Sequence, residues 1–236
     1  MLSLERVEVS IQGSEILRSV TLAVGAREIV CLVGRNGAGK TTTLRTVMGY
    51  LRPAAGTIRF KDEPIGGLPT HAIAARGIGY SPEESQIFGD LTVAENIEIS
   101  TWTRATARPA AERIAVAYDV FPRLRGYAGR GGTQLSGGER KMLSIARALA
   151  LDPDLLLLDE PFEGLSPAII PAITGSIAAI TRLGPALLLA ESNIHHVPEY
   201  VTRLYVIERG EIIFAGGLHE AHHDAAVMRV IGGRAS

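Results

Sequence analysis

The octapeptide GRNGAGKT, Gly34 to Thr41, carries three glycines, one lysine and one threonine at the spacing G-x-x-x-x-G-K-[ST]. Gly34, Gly37 and Gly39 free the backbone to curl until successive N–H groups face inward, a shape that suits phosphate oxygens. The helix expected from Lys40 adds the positive end of its dipole. In this loop Lys40 is placed to reach the β- and γ-phosphates, and the hydroxyl of Thr41 to ligate Mg²⁺. The backbone from Gly34 through Arg35, Asn36, Gly37, Ala38, Gly39, Lys40, Thr41 and Thr42 is the expected nucleotide-binding stretch. A glycine-rich turn that binds nothing is the alternative, and the flanking strand and helix patterns weigh against it.

A second group of polar residues ends the apolar run DLLLLDE, Asp154 to Glu160. A buried strand finishing on two carboxylates lets Asp159 hold Mg²⁺ through water and Glu160 polarise an attacking water. By itself such a pair is equally a strand end meeting solvent; beside a phosphate loop the catalytic reading dominates. A third group is LSGGE, Leu135 to Glu139, where Ser136, Gly137 and Gly138 open a helix expected to run through Leu149. Helix capping explains one serine and one glycine. A second anion-binding tip in a chain that already has a phosphate loop is best explained if it serves another subunit's ATP.

The elements that must position these groups follow from hydrophobic patterning. VEVSI, SVTLAV and GTIRF alternate, which predicts half-buried antiparallel strands. EIVCLVG, DLLLLDE and PALLLAE are continuous apolar runs, expected as strands of a parallel sheet covered on both faces. Helical stretches separate them, so βαβ units and a mostly parallel sheet are predicted. Residues from about 92 to 150 have helical patterning without a strong strand, and are expected as a helical lobe inserted in a single domain spanning 1–236.

Composition narrows the field. The chain has 236 residues, 46% hydrophobic and 21% charged, with 24 basic and 25 acidic side chains. No global field therefore draws in nucleic acid or anionic lipid. Basic residues are in excess between Thr101 and Ala150, where Arg104, Arg108, Arg113, Arg123, Arg125, Arg130, Arg140, Lys141 and Arg147 face only Glu112, Asp119 and Glu139. A solvated helical face is the expectation there; the sharper one is a surface near phosphates or a membrane. Cys31 is the only cysteine, which excludes an internal disulfide and predicts a small buried hydrophobe. MLSLERVEVS lacks the apolar core of a signal peptide. The uncharged run Gly164–Thr181 reads as an amphipathic helix with Ile169, Ile170, Ile173, Ile177 and Ile180 on one stripe, in a soluble chain. His219, His222 and His223 in LHEAHHD include an i, i+4 pair, but surface histidines are commoner than a metal site.

With phosphate loop, LSGGE and Asp–Glu strand in this order, the chain resembles the ATP-binding subunits of ABC transporters over essentially its whole length. The resemblance implies an α/β fold: a P-loop NTPase core with a mostly parallel sheet, an antiparallel β lobe and the inserted helical lobe. It further implies Mg²⁺-dependent ATP hydrolysis, with two ATPase subunits paired head to tail around each ATP and driving two membrane permeases. GIGYSPEESQIFGDLTVAENI, DEPFEGLSP and the closing VIGG are similar to the second ATPase subunit of branched-chain amino-acid importers and their urea or amide relatives. That narrower likeness implies a periplasmic solute-binding protein, the cytoplasmic face of the cell membrane as location, and permease contact around Glu83 to Phe88.

The same resemblance assigns residues that depart from the family's habit. Ile11 stands where an adenine-stacking aromatic is common, so burial against the base is retained without π-stacking. Glu83 occupies the position of a Mg²⁺-sensing glutamine, and Ser166 that of an aspartate contacting the opposite site. Ser192, in LLLAESNIHHV, replaces a histidine that contacts the γ-phosphate. A serine reaches less far and carries no charge, so a weakened site on this subunit's own phosphate loop is expected. Ser192 as a mere helix cap is the alternative. An exporter of lipid or polysaccharide, and a soluble ABC ATPase acting on nucleic acid or ribosomes, are the competing functions; one phosphate loop, no heptad run and near-neutral charge disfavour the latter.

Overall fold

The computed structural model describes residues 1–231, and the chain divides into two compact units. One contains Met1–Ile73 together with the chain from Ala186 onward; the other is Ala74–Pro185. The glycines of the closing VIGG lie outside the described residues.

In the first unit, β1 (Leu2–Ile11) and β2 (Ser14–Val24) form an antiparallel hairpin. Its two-residue turn uses Gln12 at φ 50° and Gly13 at φ 82°, the doubly left-handed geometry that matches strand twist. Leu2, Leu4, Val7 and Val9 are all buried, although Leu4 and Val7 are three apart rather than two. A bulge at Arg6, φ 48°, resets the alternation, and Ser19, φ 57°, does the same between Leu17 and Val20 in β2. The expected alternations of SVTLAV and GTIRF therefore hold, with Val20, Leu22, Val24, Ile58 and Phe60 buried. β3 (Ile29–Val33) leads into the loop before α1 (Lys40–Val47). β4 (Ala55–Phe60) pairs antiparallel with β1 and with the short β5 (Glu63–Pro64), giving the order β2-β1-β4-β5. The division between units falls within α2 (Thr70–Ala75).

The second unit begins with β6 (Ile78–Ser81) and continues through α3 (Val93–Glu98), α4 (Ala110–Val120), α5 (Pro122–Arg125) and α6 (Gly137–Ala150). β7 (Leu155–Asp159) pairs parallel with β6, and α7 (Ile170–Leu183) follows. The regular elements between residues 92 and 150 are helices joined by loops. Along α7, Ile173, Ile177 and Ile180 are fully buried, while Ile169 and Ile170 at its start are half-buried, so the stripe is narrower than predicted. No helix of the described residues is long and apolar enough to cross a membrane.

The basic excess is not one solvated face. Arg113 and Lys141 are 6% and 3% exposed, and Arg104 and Arg108 pair with Asp154 and Asp152 at 2.6 and 2.8 Å. Arg113 donates to the carbonyls of Thr101 and Arg104, so part of the surplus works as internal hydrogen bonding. Only Arg123, Arg125, Arg130 and Arg140 among the nine are exposed.

The chain returns to the first unit at β8 (Ala186–Glu191), with β9 (Arg203–Glu208) and β10 (Glu211–Gly216), then α8 (Leu218–His223) and α9 (Ala225–Ile231). β3 runs parallel to both β8 and β9, and β10 adds an antiparallel edge. Residues 30–33 of β3 and 186–190 of β8 are entirely buried, which explains their unbroken apolar runs. Cys31 is buried and, as the single cysteine of the sequence, forms no internal disulfide. The fold is α/β with parallel strands, an antiparallel sheet and helices.

Candidate functional site: a phosphate cradle and a pair of carboxylates

In the first unit the cradle is built by sequence-local and long-range constraints together. Gly34 donates its N–H to Glu191 at 3.1 Å, and a Cβ there would stand 2.3 Å from the Ile207 carbonyl oxygen. Gly39, φ 115°, is crowded by Leu17 and Ile207, so neither position admits a side chain. Gly37, φ 81°, is different: nothing lies within 4 Å of where its Cβ would be. That open space, with Arg35, Asn36 and Gly37 exposed, fits a ligand that backbone alone must approach. Gly210 donates to Ala38, and Ala38 to Arg35, which holds the curl.

Lys40 is 5% exposed and donates through Nζ to the carbonyls of Gly34 at 2.7 Å and Arg35 at 3.2 Å. Its ammonium therefore lies across the loop rather than outside it. No side chain caps α1, unlike α3 and α6, and the start of this helix presents the positive end of its dipole beside the loop. Thr41 and Thr42 are half-buried on that first turn. The side chain of Arg35 donates to the carbonyls of Arg229 and Val230 at the end of α9, leaving its backbone as its contribution to the cradle.

Ser192 follows directly on β8, whose Glu191 is in register with Val33, so the serine stands beside the start of the loop. Asn193, not Ser192, caps the short turn Ile194–His196, accepting from His195 at 2.9 Å. His196 instead approaches the buried carboxylate of Glu191 at 3.6 Å. Ile11 is 37% exposed at the hairpin end. His223 Nδ1 lies 2.8 Å from the His219 carbonyl oxygen, and its ring packs against that of His219.

In the second unit, Asp159 and Glu160 are 1% and 4% exposed at the end of β7. Tyr80, on β6, donates its hydroxyl to Asp159 Oδ2 at 3.0 Å. Glu160 has φ 46°, a left-handed conformation that costs about 1–3 kcal/mol in a residue with a side chain. Buried Lys141, on α6, donates to the carbonyls of Glu160 at 3.1 Å and Glu83 at 2.6 Å. The Glu83 side chain is exposed. Sequence reasoning overlooked Tyr80 and Lys141. A tyrosine opposite an apolar strand and a lysine inside an otherwise apolar helical face were the available signals.

Ser136 caps α6 and forms a capping box with Glu139, whose carboxylate accepts the Ser136 N–H at 2.8 Å. That hydrogen bond holds the Glu139 carboxyl below the usual carboxylate range. The tip is thus not wholly bare; Gly137 and Gly138 supply N–H groups that no intrahelical carbonyl reaches. Nothing lies within 4 Å of a Cβ on Gly137, whereas one on Gly138 meets Ile169 at 3.1 Å. Ser166 is exposed.

Among the described residues no group of three or more His, Cys, Asp or Glu side chains could hold a metal. A Mg²⁺ held through one or two carboxylates and nucleotide phosphates needs no such cage.

The family described as ABC transporter matches residues 17–163. The lipopolysaccharide export system ATP-binding protein LptB of Haemophilus influenzae is 37% identical over 98% of this chain and 96% of its own. The high-affinity branched-chain amino acid transport ATP-binding protein BraG of Pseudomonas aeruginosa is 39% identical over 90% and 91%. A dimeric ATP-binding cassette in a post-hydrolysis state with ADP and Pi superposes with TM-score 0.80 at 23% identity, covering 92% of this chain and 99% of that one.

Proposed function

Given that this chain belongs to the ABC transporter ATPases, a family whose members bind and hydrolyse ATP, we propose that it energises uptake of a small polar solute, as in branched-chain amino-acid import. The observation that carries the nucleotide half is the uncapped start of α1 behind a curled loop with Lys40 laid across it. Lys40 and the first-turn amides neutralise phosphate charge; Thr41, Asp159 and Glu83 are the residues that would hold Mg²⁺, which would supply further positive charge against the phosphates. Glu160 orients and polarises the attacking water. Little covalent chemistry is asked of the protein; positioning and charge stabilisation supply the rate.

Ser136, Gly137 and Gly138 serve the ATP of a second ATPase subunit, paired head to tail, on the cytoplasmic face of the membrane with two permeases and a solute-binding protein. No nucleic acid takes part. Ile11 covers the base, and Ser192 leaves this subunit's own site the weaker of the two. The importer reading is supported by the 39% identity to BraG and by the likeness of GIGYSPEESQIFGDLTVAENI to that subfamily. Export of a lipid or polysaccharide is the second reading, favoured by the match to LptB over 98% of the chain.

Affinity purification from native membranes through this chain separates the two. Recovery of two unlike permeases and a different ATPase supports import, whereas recovery of permeases that bind lipopolysaccharide supports export. Recovery with ribosomes or DNA overturns both.

A further inference from the structure

Three side chains of α6 at successive i, i+3 positions grip one segment. Ser144, fully buried, shares a 2.8 Å hydrogen bond with Ser81 at the end of β6. Lys141 donates to Glu83, and Arg147 donates to the Gln86 carbonyl at 2.9 Å while its guanidinium stacks over Phe88 at 5.0 Å. Neighbours three apart on a helix lie on adjoining turns, so the row presents a continuous edge. Lys141 also reaches the carbonyl of Glu160.

Both targets are strained. Ser85 and Gln86 have φ 63° and 39°, and Glu160 has φ 46°, all left-handed in residues with side chains. Such conformations persist only where the surroundings over-determine them. A buried ammonium is costly unless its donors are used, and here they reach the backbone carbonyls of Glu83 and Glu160. Asn96, fully buried, fixes the far end of the same segment through the N–H and carbonyl of Phe88, both at 2.9 Å.

We propose that Lys141, with Ser144 and Arg147, is a positioning clamp: the helix that begins at Ser136 sets the backbone of Glu160 and the course of residues 81–88 as one body. The clamp deepens the transporter reading and rests on it. It makes the tip offered to a second subunit's nucleotide, the water-polarising carboxylate and the segment carrying Glu83 and Phe88 respond together. Lys141 touches no reacting atom in this scheme; it acts through Glu160 and Glu83.

The test uses the assembly purified through the full-length chain, and the full-length chain alone for nucleotide binding. Lys141→Met removes the donors and keeps the length; Lys141→Arg keeps donors. The Met variant is expected to lower kcat about tenfold while KM for ATP and Kd for ADP stay within about twofold, and Arg to restore most of the loss. Hydrogen exchange should quicken in both 81–88 and 159–163 in Lys141→Met, but only in 81–88 in Arg147→Met. Unchanged kcat in Lys141→Met, or kcat and ADP affinity falling together with exchange raised throughout the chain, overturns the clamp. If Lys141→Met does not fold, Arg147→Met decides: no faster exchange in 81–88, or faster exchange everywhere, overturns it as well. Lys40→Ala, run in parallel, separates the failures. Wild-type turnover in Lys40→Ala sinks the ATPase reading itself, while loss there with normal Lys141→Met sinks the clamp alone.

Discussion

Gly34 gives its N–H to the carbonyl of Glu191 at 3.1 Å, joining the first residue of the phosphate loop to the last residue of β8. The contact leaves no room for a side chain, because Ile207 closes the other side. Gly34→Ala is therefore expected to destabilise the fold by about 1–3 kcal/mol or more, since a backbone oxygen cannot rotate away. Chemical denaturation and ATP binding measured on the same sample check it, and both should fall together.

Ser192 stands one residue beyond that contact. Ser192→His should raise turnover at the subunit's own phosphate loop, since imidazole reaches further and can carry charge. In an assembly whose partner site is silenced by the Glu-to-Gln change equivalent to Glu160→Gln, the expected gain is about tenfold. No gain means that Ser192 is not the reason for the weak site.

The two glycines of the α6 tip should behave differently. Gly137→Ala meets nothing, and alanine favours helix, so stability is unchanged or slightly raised. Turnover should nevertheless fall, because the methyl group occupies the face offered to a phosphate. Gly138→Ala presses on Ile169, and its melting temperature should drop. Thermal melts alongside steady-state ATPase rates distinguish the pair.

The Glu139 capping box makes an acid-side prediction. Its folded pKa is depressed below the ordinary 4.5 by the Ser136 N–H, so its contribution is present above that ordinary value. It is lost as pH falls through the lower folded value. A denaturation series between about pH 6 and about pH 3 should show this component in the wild type and not in Glu139→Gln.

How much was legible in the sequence follows from how local each cause is. GRNGAGKT, LSGGE and the Asp159–Glu160 strand end could be read because each is a run of neighbours whose types set the backbone. β1 was partly hidden, since the bulge at Arg6 breaks the alternation between Leu4 and Val7. Part of the basic segment was misread: Arg113 and Lys141 look solvated by composition, but are buried and donate to backbone carbonyls outside their own helical turns. The roles of Tyr80 and Lys141 depend on strand pairing and helix placement, which no short motif encodes. Asn193 rather than Ser192 caps the following turn, from an extended backbone at φ −124°.

The most direct test is ATP hydrolysis by the purified assembly with wild-type chain, Lys40→Ala and Glu160→Gln side by side. The account predicts that Lys40→Ala loses nucleotide affinity and turnover together, whereas Glu160→Gln keeps ATP bound at this chain's phosphate loop and hydrolyses it at least about a hundredfold more slowly. Undiminished ATP binding in Lys40→Ala, or unaltered hydrolysis of that bound ATP in Glu160→Gln, would contradict it.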